Sequence, residues 1–143
     1  MLWTVTAALL IAAPAPKDKP APSLVGEWEV ETTYHNGQTF RNLPGELVYT
    51  FTADGKWTIG SGTNVGGGGP YAVHPKAVPA EIDLEETKGI PNQLMPGIYR
   101  IDGNTLVLCY TNERGGKRPT SFDPPPKGSA HAVFILNRVK PKD

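Results

Sequence analysis

Gly26-Glu27-Trp28-Glu29-Val30-Glu31-Thr32-Thr33-Tyr34 is the stretch on which the fold turns. Glu27, Glu29 and Glu31 share one side of an extended backbone, and Trp28, Val30, Thr32 and Tyr34 share the other. Successive side chains of a strand point to opposite faces, so this period of two predicts a strand with one buried face and one wet face. Asn36-Gly37 comes next. It is the favoured two-residue hairpin turn, because both residues tolerate positive φ. Gln38 to Arg41 then reads as the short return strand.

The same alternation continues outward. In Glu46 to Thr52, Leu47, Tyr49 and Phe51 lie on one face and Val48, Thr50 and Thr52 on the other. Ala53-Asp54-Gly55 signals a hairpin, and Lys56 to Ile59 returns with Trp57 and Ile59 together. Gly60 to Gly69 holds six glycines in ten residues and reads as a mobile loop. Tyr71 to His74 and Glu81 to Leu84 are the next strands, with Ile82 and Leu84 inward. Lys88 to Pro96, broken by Gly89, Pro91 and Pro96, reads as a longer crossing. Ile98 to Ile101, the turn Asp102-Gly103-Asn104 and Thr105 to Tyr110 form the clearest hairpin. Arg114 to Ser129 is rich in Gly and Pro and irregular, and Ala132 to Val139 is the last strand.

Short strands at turn-punctuated intervals, with no helical period over about ten residues, predict an all-β sandwich or barrel. The last strand is apolar on both faces. Left at an edge it would invite aggregation, and pairing it with the first strand removes the edge. The expected fold is a single antiparallel up-and-down β-barrel of about eight strands, over residues 24–140.

Composition agrees with one such domain. The chain has 143 residues, a lean hydrophobic fraction of 38%, and 16 Gly with 15 Pro to make turns. Lys and Arg number 14, as do Asp and Glu, so net charge is zero. Nothing in that balance offers the basic surface that phosphate backbones require, and no nucleic-acid partner is expected. Cys109 is the one cysteine, which excludes an internal disulfide, and its place in an apolar strand predicts a buried, inert thiol.

Residues 1–23 differ in character from the rest. Leu2 to Ala13 is an apolar run of signal-peptide length, too short to span a bilayer as a helix, and Ala12, Ala13 and Ala15 suit a signal peptidase. No Lys or Arg precedes the run, and Pro14 and Pro16 follow it. A non-cleaved anchor or a misplaced start is the competing reading. Residues 14–23 (PAPKDKPAPS) read as an extended, solvated tether. The expectation is an exported protein, with no membrane insertion after export.

Gly26-Glu27-Trp28 resembles the Gly-x-Trp signature of lipocalins and related calycins. The resemblance implies that Trp28 seals the closed end of the barrel and that Arg138, from the last strand, packs over it. A closer resemblance spans Leu24 to Lys140. It is to a lipocalin-like family of uncharacterised, mostly planctomycete, exported proteins. Its matching pieces are Leu24-Val25-Gly26-Glu27-Trp28, Ile82-Asp83-Leu84, Gly97-Ile98-Tyr99-Arg100-Ile101-Asp102-Gly103-Asn104-Thr105-Leu106, Leu108-Cys109, Arg118-Pro119-Thr120-Ser121-Phe122 and Arg138. The resemblance implies a calycin-type barrel and export, and no particular chemistry. The Gly60 to Gly69 stretch and Pro124-Pro125-Pro126 depart from the family and bear on any ligand rather than on the fold.

Catalytic signals are missing from the sequence. His35, His74 and His131 have no His or Cys partner at metal-ligand spacing, and no metal is expected. Gly115-Gly116-Lys117-Arg118 lacks the Ser or Thr that a phosphate loop needs after its Lys. No Gly-x-Ser-x-Gly elbow occurs, and Ser61 and Ser121 have no His nearby in sequence. Glu81, Asp83 and Glu85 alternate with Ile82 and Leu84, which places them on a solvated strand face. The protein is expected not to be an enzyme and to need no cofactor.

What remains is the barrel interior and one polar run. Tyr49, Phe51, Tyr99 and Trp57 are candidates to point inward. A barrel of this size either fills itself with side chains or holds one small ligand. Arg118 either caps strand carbonyls or pairs with an acid, with Phe122 plugging one barrel end, or it holds an anionic group at the barrel mouth. The functional expectation is an exported, monomeric, non-enzymatic module binding a small apolar or amphipathic molecule through Tyr49, Phe51, Tyr99 and Arg118. Trp28, Arg138 and Phe122 close the barrel. The alternative is a structural or protein-interaction domain of the cell envelope with a filled barrel.

Overall fold

The computed structural model describes residues 23–61, 64–88 and 92–140. The signal-like run and all of the tether but Ser23 lie outside the described residues. Within them the chain forms one nine-stranded antiparallel sheet that closes on itself. In chain order the strands are β1 (Gly26–His35), β2 (Gln38–Arg41), β3 (Val48–Phe51), β4 (Lys56–Ser61), β5 (Asn64–His74), β6 (Ala80–Glu86), β7 (Gln93–Asp102), β8 (Thr105–Thr111) and β9 (His131–Arg138). From β3 to β9 each strand pairs with the next. The apolar last strand does pair with the first, from Trp28 opposite Arg138 to His35 opposite Ala132, and this seam closes an eight-strand barrel.

β1 is long enough to serve three neighbours. One edge carries β9; the other carries β3 over Gly26 to Glu29 and β2 over Thr32 to His35. β2 is therefore the extra strand, a hairpin extension beyond the cylinder. The Asn36-Gly37 turn that makes it has φ of 55° and 76°, the left-handed pair that this turn requires.

Three expectations are corrected. The described part of Gly60 to Gly69 is strand, not loop: Gly60 and Ser61 finish β4, and Asn64 to Gly69 are the first half of β5. Gly67, Gly68 and Gly69 stand opposite Ile59, Thr58 and Trp57. The reason is steric. Trp57 is buried and donates from its indole Nε1 to the Glu85 carbonyl, 3.1 Å away on β6. A Cβ on Gly69, the β5 residue opposite Trp57, would collide with that same carbonyl oxygen. A Cβ on Gly68 would stand 2.5 Å from the Trp57 carbonyl oxygen. The second half of Lys88 to Pro96 is likewise strand, since β7 begins at Gln93.

The third correction concerns β1. Its register against β9 shifts between Val30 and Thr32. Such a bulge sets two residues against one and resets the alternation. Val30 faces Leu136, in the interior, but Tyr34 faces Val133, on the outside of the barrel. Thr32 and Tyr34 therefore leave the face that Trp28 and Val30 occupy.

Apolar side chains accordingly form two cores. The larger fills the barrel: Trp28, Tyr49, Phe51, Trp57, Ile82, Leu84, Leu106, Leu108 and Leu136 are all at most 2% exposed. The smaller lies on the outer face of β7, β8 and β9, where Ile98, Val107, Cys109 and Val133 are covered by Tyr34, Phe122 and Ile135. Phe122 comes from the irregular 112–130 connection, a strap that turns back across this face. Gly37 N–H donates to Pro125 O at 3.3 Å and Gly128 N–H to Asn36 Oδ1 at 2.7 Å, joining the strap to the β1–β2 turn.

Candidate functional site

Tyr49 and Phe51 do reach the interior, and there they pack against protein. They are 0% and 1% exposed. Tyr49 stacks with Phe51 and Trp57 at 6.3 and 6.2 Å between ring centroids, and Tyr110 stacks with Phe134 at 5.3 Å. The Tyr49 and Tyr110 hydroxyls meet at 2.6 Å in the middle of this apolar mass. Each satisfies the other, which is what a buried hydroxyl needs. Burial drives the Tyr49 pKa well above the ordinary 10.0, and the neighbouring Tyr110 adds to the rise. Burial likewise takes Tyr110 from 10.0 to about 12. The pair is a neutral structural tie at any physiological pH.

At one end of the barrel Trp28 is fully buried, its indole donating to the Leu24 carbonyl at 2.9 Å. The Arg138 guanidinium carbon lies 4.1 Å from the centroid of the Trp28 ring, well within cation–π reach. Arg138 also donates through Nη1 to Val25 O at 3.1 Å and through Nη2 to Ser23 O at 3.0 Å. One arginine thus lids the tryptophan and ties down the segment that leads into β1.

Arg118 stands outside the barrel. Its Nη1 donates to the Ile82 and Gly97 carbonyls at 3.1 and 3.0 Å, and its Nη2 to Asp83 Oδ1 at 2.8 Å. Nε lies 3.6 Å from Glu81 Oε1. Asp83 also faces His74 Nε2 at 3.4 Å. These partners hold the strap to β6 and β7 and engage the guanidinium on several sides. Phe122, four residues on, packs on the outer core beside Ile98 and Val107 rather than across the lumen. The Arg100 guanidinium carbon sits 4.9 Å from the Phe122 ring centroid.

Tyr99 is the remaining candidate, and it lines an open space at the rim of the barrel. This is a groove of about 470 Å³, formed where the 75–79 connection, the start of β6 and the end of β7 meet the strap. Its walls are Pro75, Ala77, Val78, Pro79, Ala80, Tyr99, Arg100, Ile101 and Phe122. Val78 is 97% exposed. The groove therefore unites Tyr99 and Phe122 from the sequence-predicted set, and it excludes Tyr49, Phe51 and Arg118. Arg100, Val78 and Pro79 were not singled out by sequence reasoning. Arg100 occupies the outward position of an alternating strand, which is where an ordinary solvated residue also sits, so no local signal distinguishes it.

Elsewhere little chemistry converges. At the opposite end a shallower hollow of about 350 Å³ is lined by Leu47, Ile59, Gly60, Ser61, Asn64, Val65 and Gly66. Cys109 lies under the strap, and burial lifts its pKa from 9.0 to about 11, which makes it a poor nucleophile at neutral pH. Among the described residues no three His, Cys, Asp or Glu side chains gather as a metal site. No helix among the described residues is long and apolar enough to cross a membrane. The chain matches no protein-family model and no curated protein.

Proposed function

We propose that this domain is an exported, lipocalin-like, non-enzymatic module that takes a small apolar or amphipathic molecule in the rim groove, not in the lumen. The observation that carries the reading is the contrast in filling. The interior is packed by Trp28, Tyr49, Phe51, Trp57 and Leu108, whereas the groove beside Tyr99 stays open and mostly apolar. Its volume of about 470 Å³ falls within the range of small-molecule sites, roughly 300–1,000 Å³. The lipocalin-like part rests on the closed barrel and on Trp28 under Arg138. Export rests on the Leu2 to Ala13 run, and mass spectrometry of the secreted protein tests it by finding the new N-terminus.

A thermal-shift screen against fatty acids, sterols and quinone-like compounds tests the binding reading. A ligand at a hundred times its Kd adds about 2.7 kcal/mol, a shift that is easily read. No shift across the panel overturns the proposal.

One observation favours a second reading, an envelope domain that binds another protein. β2 pairs only with β1 among the described residues, and Phe40 and Leu43 beside its free edge are 46% and 72% exposed. A free strand edge is a template for an added strand. On this reading Phe40→Glu releases the protein from the envelope, and the small-molecule panel has no effect.

A further inference from the structure

We infer that the rim groove selects an amphipathic anion, a carboxylate carried on an apolar body, with Arg100 as the contact for the charged head. This rests on the reading of the groove as a ligand site and names the class of ligand that fits it.

Three observations converge. First, the groove wall contains one charged side chain, Arg100, and no carboxylate; most of the remaining wall is aliphatic or aromatic. Second, the Arg100 side chain is exposed and, among the described residues, makes no hydrogen bond and no ion pair. The contrast with Arg118 and Arg138 is direct. Arg118 is bound to two carbonyls and an aspartate, and Arg138 to two carbonyls and a ring. Third, Arg100 is positioned without being used up. Its guanidinium carbon sits over the Phe122 ring, 4.9 Å from the centroid. That contact gives its five N–H donors no oxygen acceptor.

A guanidinium held on an aromatic wall at the edge of an apolar groove suits a carboxylate in the bidentate arrangement, with the ligand's hydrocarbon lying against Val78, Pro79 and Ile101. The nearby charges favour this. Lys76, in the 75–79 connection, adds positive charge to the rim. Glu81, on the adjoining strand, is turned to Arg118 at 3.6 Å. Asp102, two positions further along β7, makes no ion pair with Arg100 among the described residues.

The test is calorimetric titration of the full-length protein with decanoate, with decanol and with decyltrimethylammonium at low salt. Decanoate is expected to bind about tenfold more tightly than decanol, and the cation more weakly than either. Arg100→Gln is expected to remove the preference for decanoate over decanol, weakening decanoate far more than decanol; Arg100→Lys keeps part of it. Val78→Asp, at a fully exposed site that spares folding, places a negative charge in the groove and weakens decanoate more than decanol. Equal binding of decanoate and decanol, or a preference that survives Arg100→Gln, overturns the anion inference while leaving the groove a binding site. Failure of all three probes and of the wider panel overturns the groove reading itself, and the inference falls with it.

Discussion

The inside of the barrel and the outer face of β7, β8 and β9 are both apolar and both covered, but by different means. Inside, strands supply everything. Side chains from all around the cylinder meet at its axis, and the aromatic rings of β3, β4, β8 and β9 interlock around the Tyr49–Tyr110 tie. Outside, the strands supply only a floor of Ile98, Val107, Cys109 and Val133. The cover is an irregular strap, poor in backbone hydrogen bonds of its own, pinned by Phe122 and by the Arg118 contacts with β6 and β7. A closed sheet thus seals its inner face by geometry, whereas an outer apolar patch needs a separate cover and a polar clasp. The open groove appears where that cover ends.

The sharpest way to break this comparison is to hollow the inner core. Tyr49→Ala removes a fully buried ring at the centre of the aromatic stack, with an expected cost of about 3–5 kcal/mol by urea denaturation. A cost under about 1 kcal/mol would mean that the interior is not tightly packed. On the outside, Arg118→Met leaves the Ile82 and Gly97 carbonyls and Asp83 without their donor, an expected loss of about 2 kcal/mol. Its signature is local: Cys109 becomes reactive to a thiol reagent in the folded protein, faster than global unfolding allows. If labelling stays tied to global unfolding, the strap is no separate unit.

Alkaline pH sharpens the contrast by reading both cores at once. Below pH 9 the Cys109 thiol is protonated folded and unfolded alike, so its full contribution is present. Between 9.0 and about 11 the unfolded thiol ionises and the folded one does not. The unfolded state then binds fewer protons, and stability falls as pH rises. Tyr49 and Tyr110 extend the fall above pH 10. The melting temperature is expected to hold through neutral pH and decline from pH 9, and Cys109→Ala removes the first part of the decline.

Smaller again is Tyr110→Phe, expected to cost about 1–2 kcal/mol because it leaves the Tyr49 hydroxyl buried without a partner. Removing both hydroxyls together costs less than the sum of the single changes, which a double-mutant cycle reads. Smallest is Arg100→Gln, whose exposed ring contact is worth about 0.5 kcal/mol to stability, so that any larger effect would place Arg100 in the strap's clasp.

Much of the barrel was legible in the residues. β2 runs over the stretch that the Asn36-Gly37 turn announced, and the hairpin around Gly103 lies where the turn residues put it. The first half of β5 was not legible, because glycines have no side chains and so leave no alternation to read. Its strand character comes from pairing with β4, at a spacing too tight for side chains on Gly68 and Gly69. The bulge after Val30 was hidden for a related reason. A period of two looks the same on paper whether or not one residue slips, and the slip is visible only against β9. Tyr49, Phe51 and Trp57 could be assigned inward, yet whether they fill the lumen or line a cavity depends on rings that arrive from Tyr110 and Phe134, far along the chain. Arg118 showed two possible roles in sequence, and its clasp on Ile82, Asp83 and Gly97 is a matter of which strands lie beneath it.

Alternation, turns and capping glycines act between near neighbours, so the chain's own order suffices to specify most of its strands and to leave a double-sided apolar strand in need of a partner. Closure between β1 and β9, the filling of the lumen, the strap's clasp and the groove at Tyr99, Arg100 and Phe122 bring together residues that are distant in the chain. Their outcome depends on volumes and donors meeting in space, and those meetings exist only once the cylinder has formed.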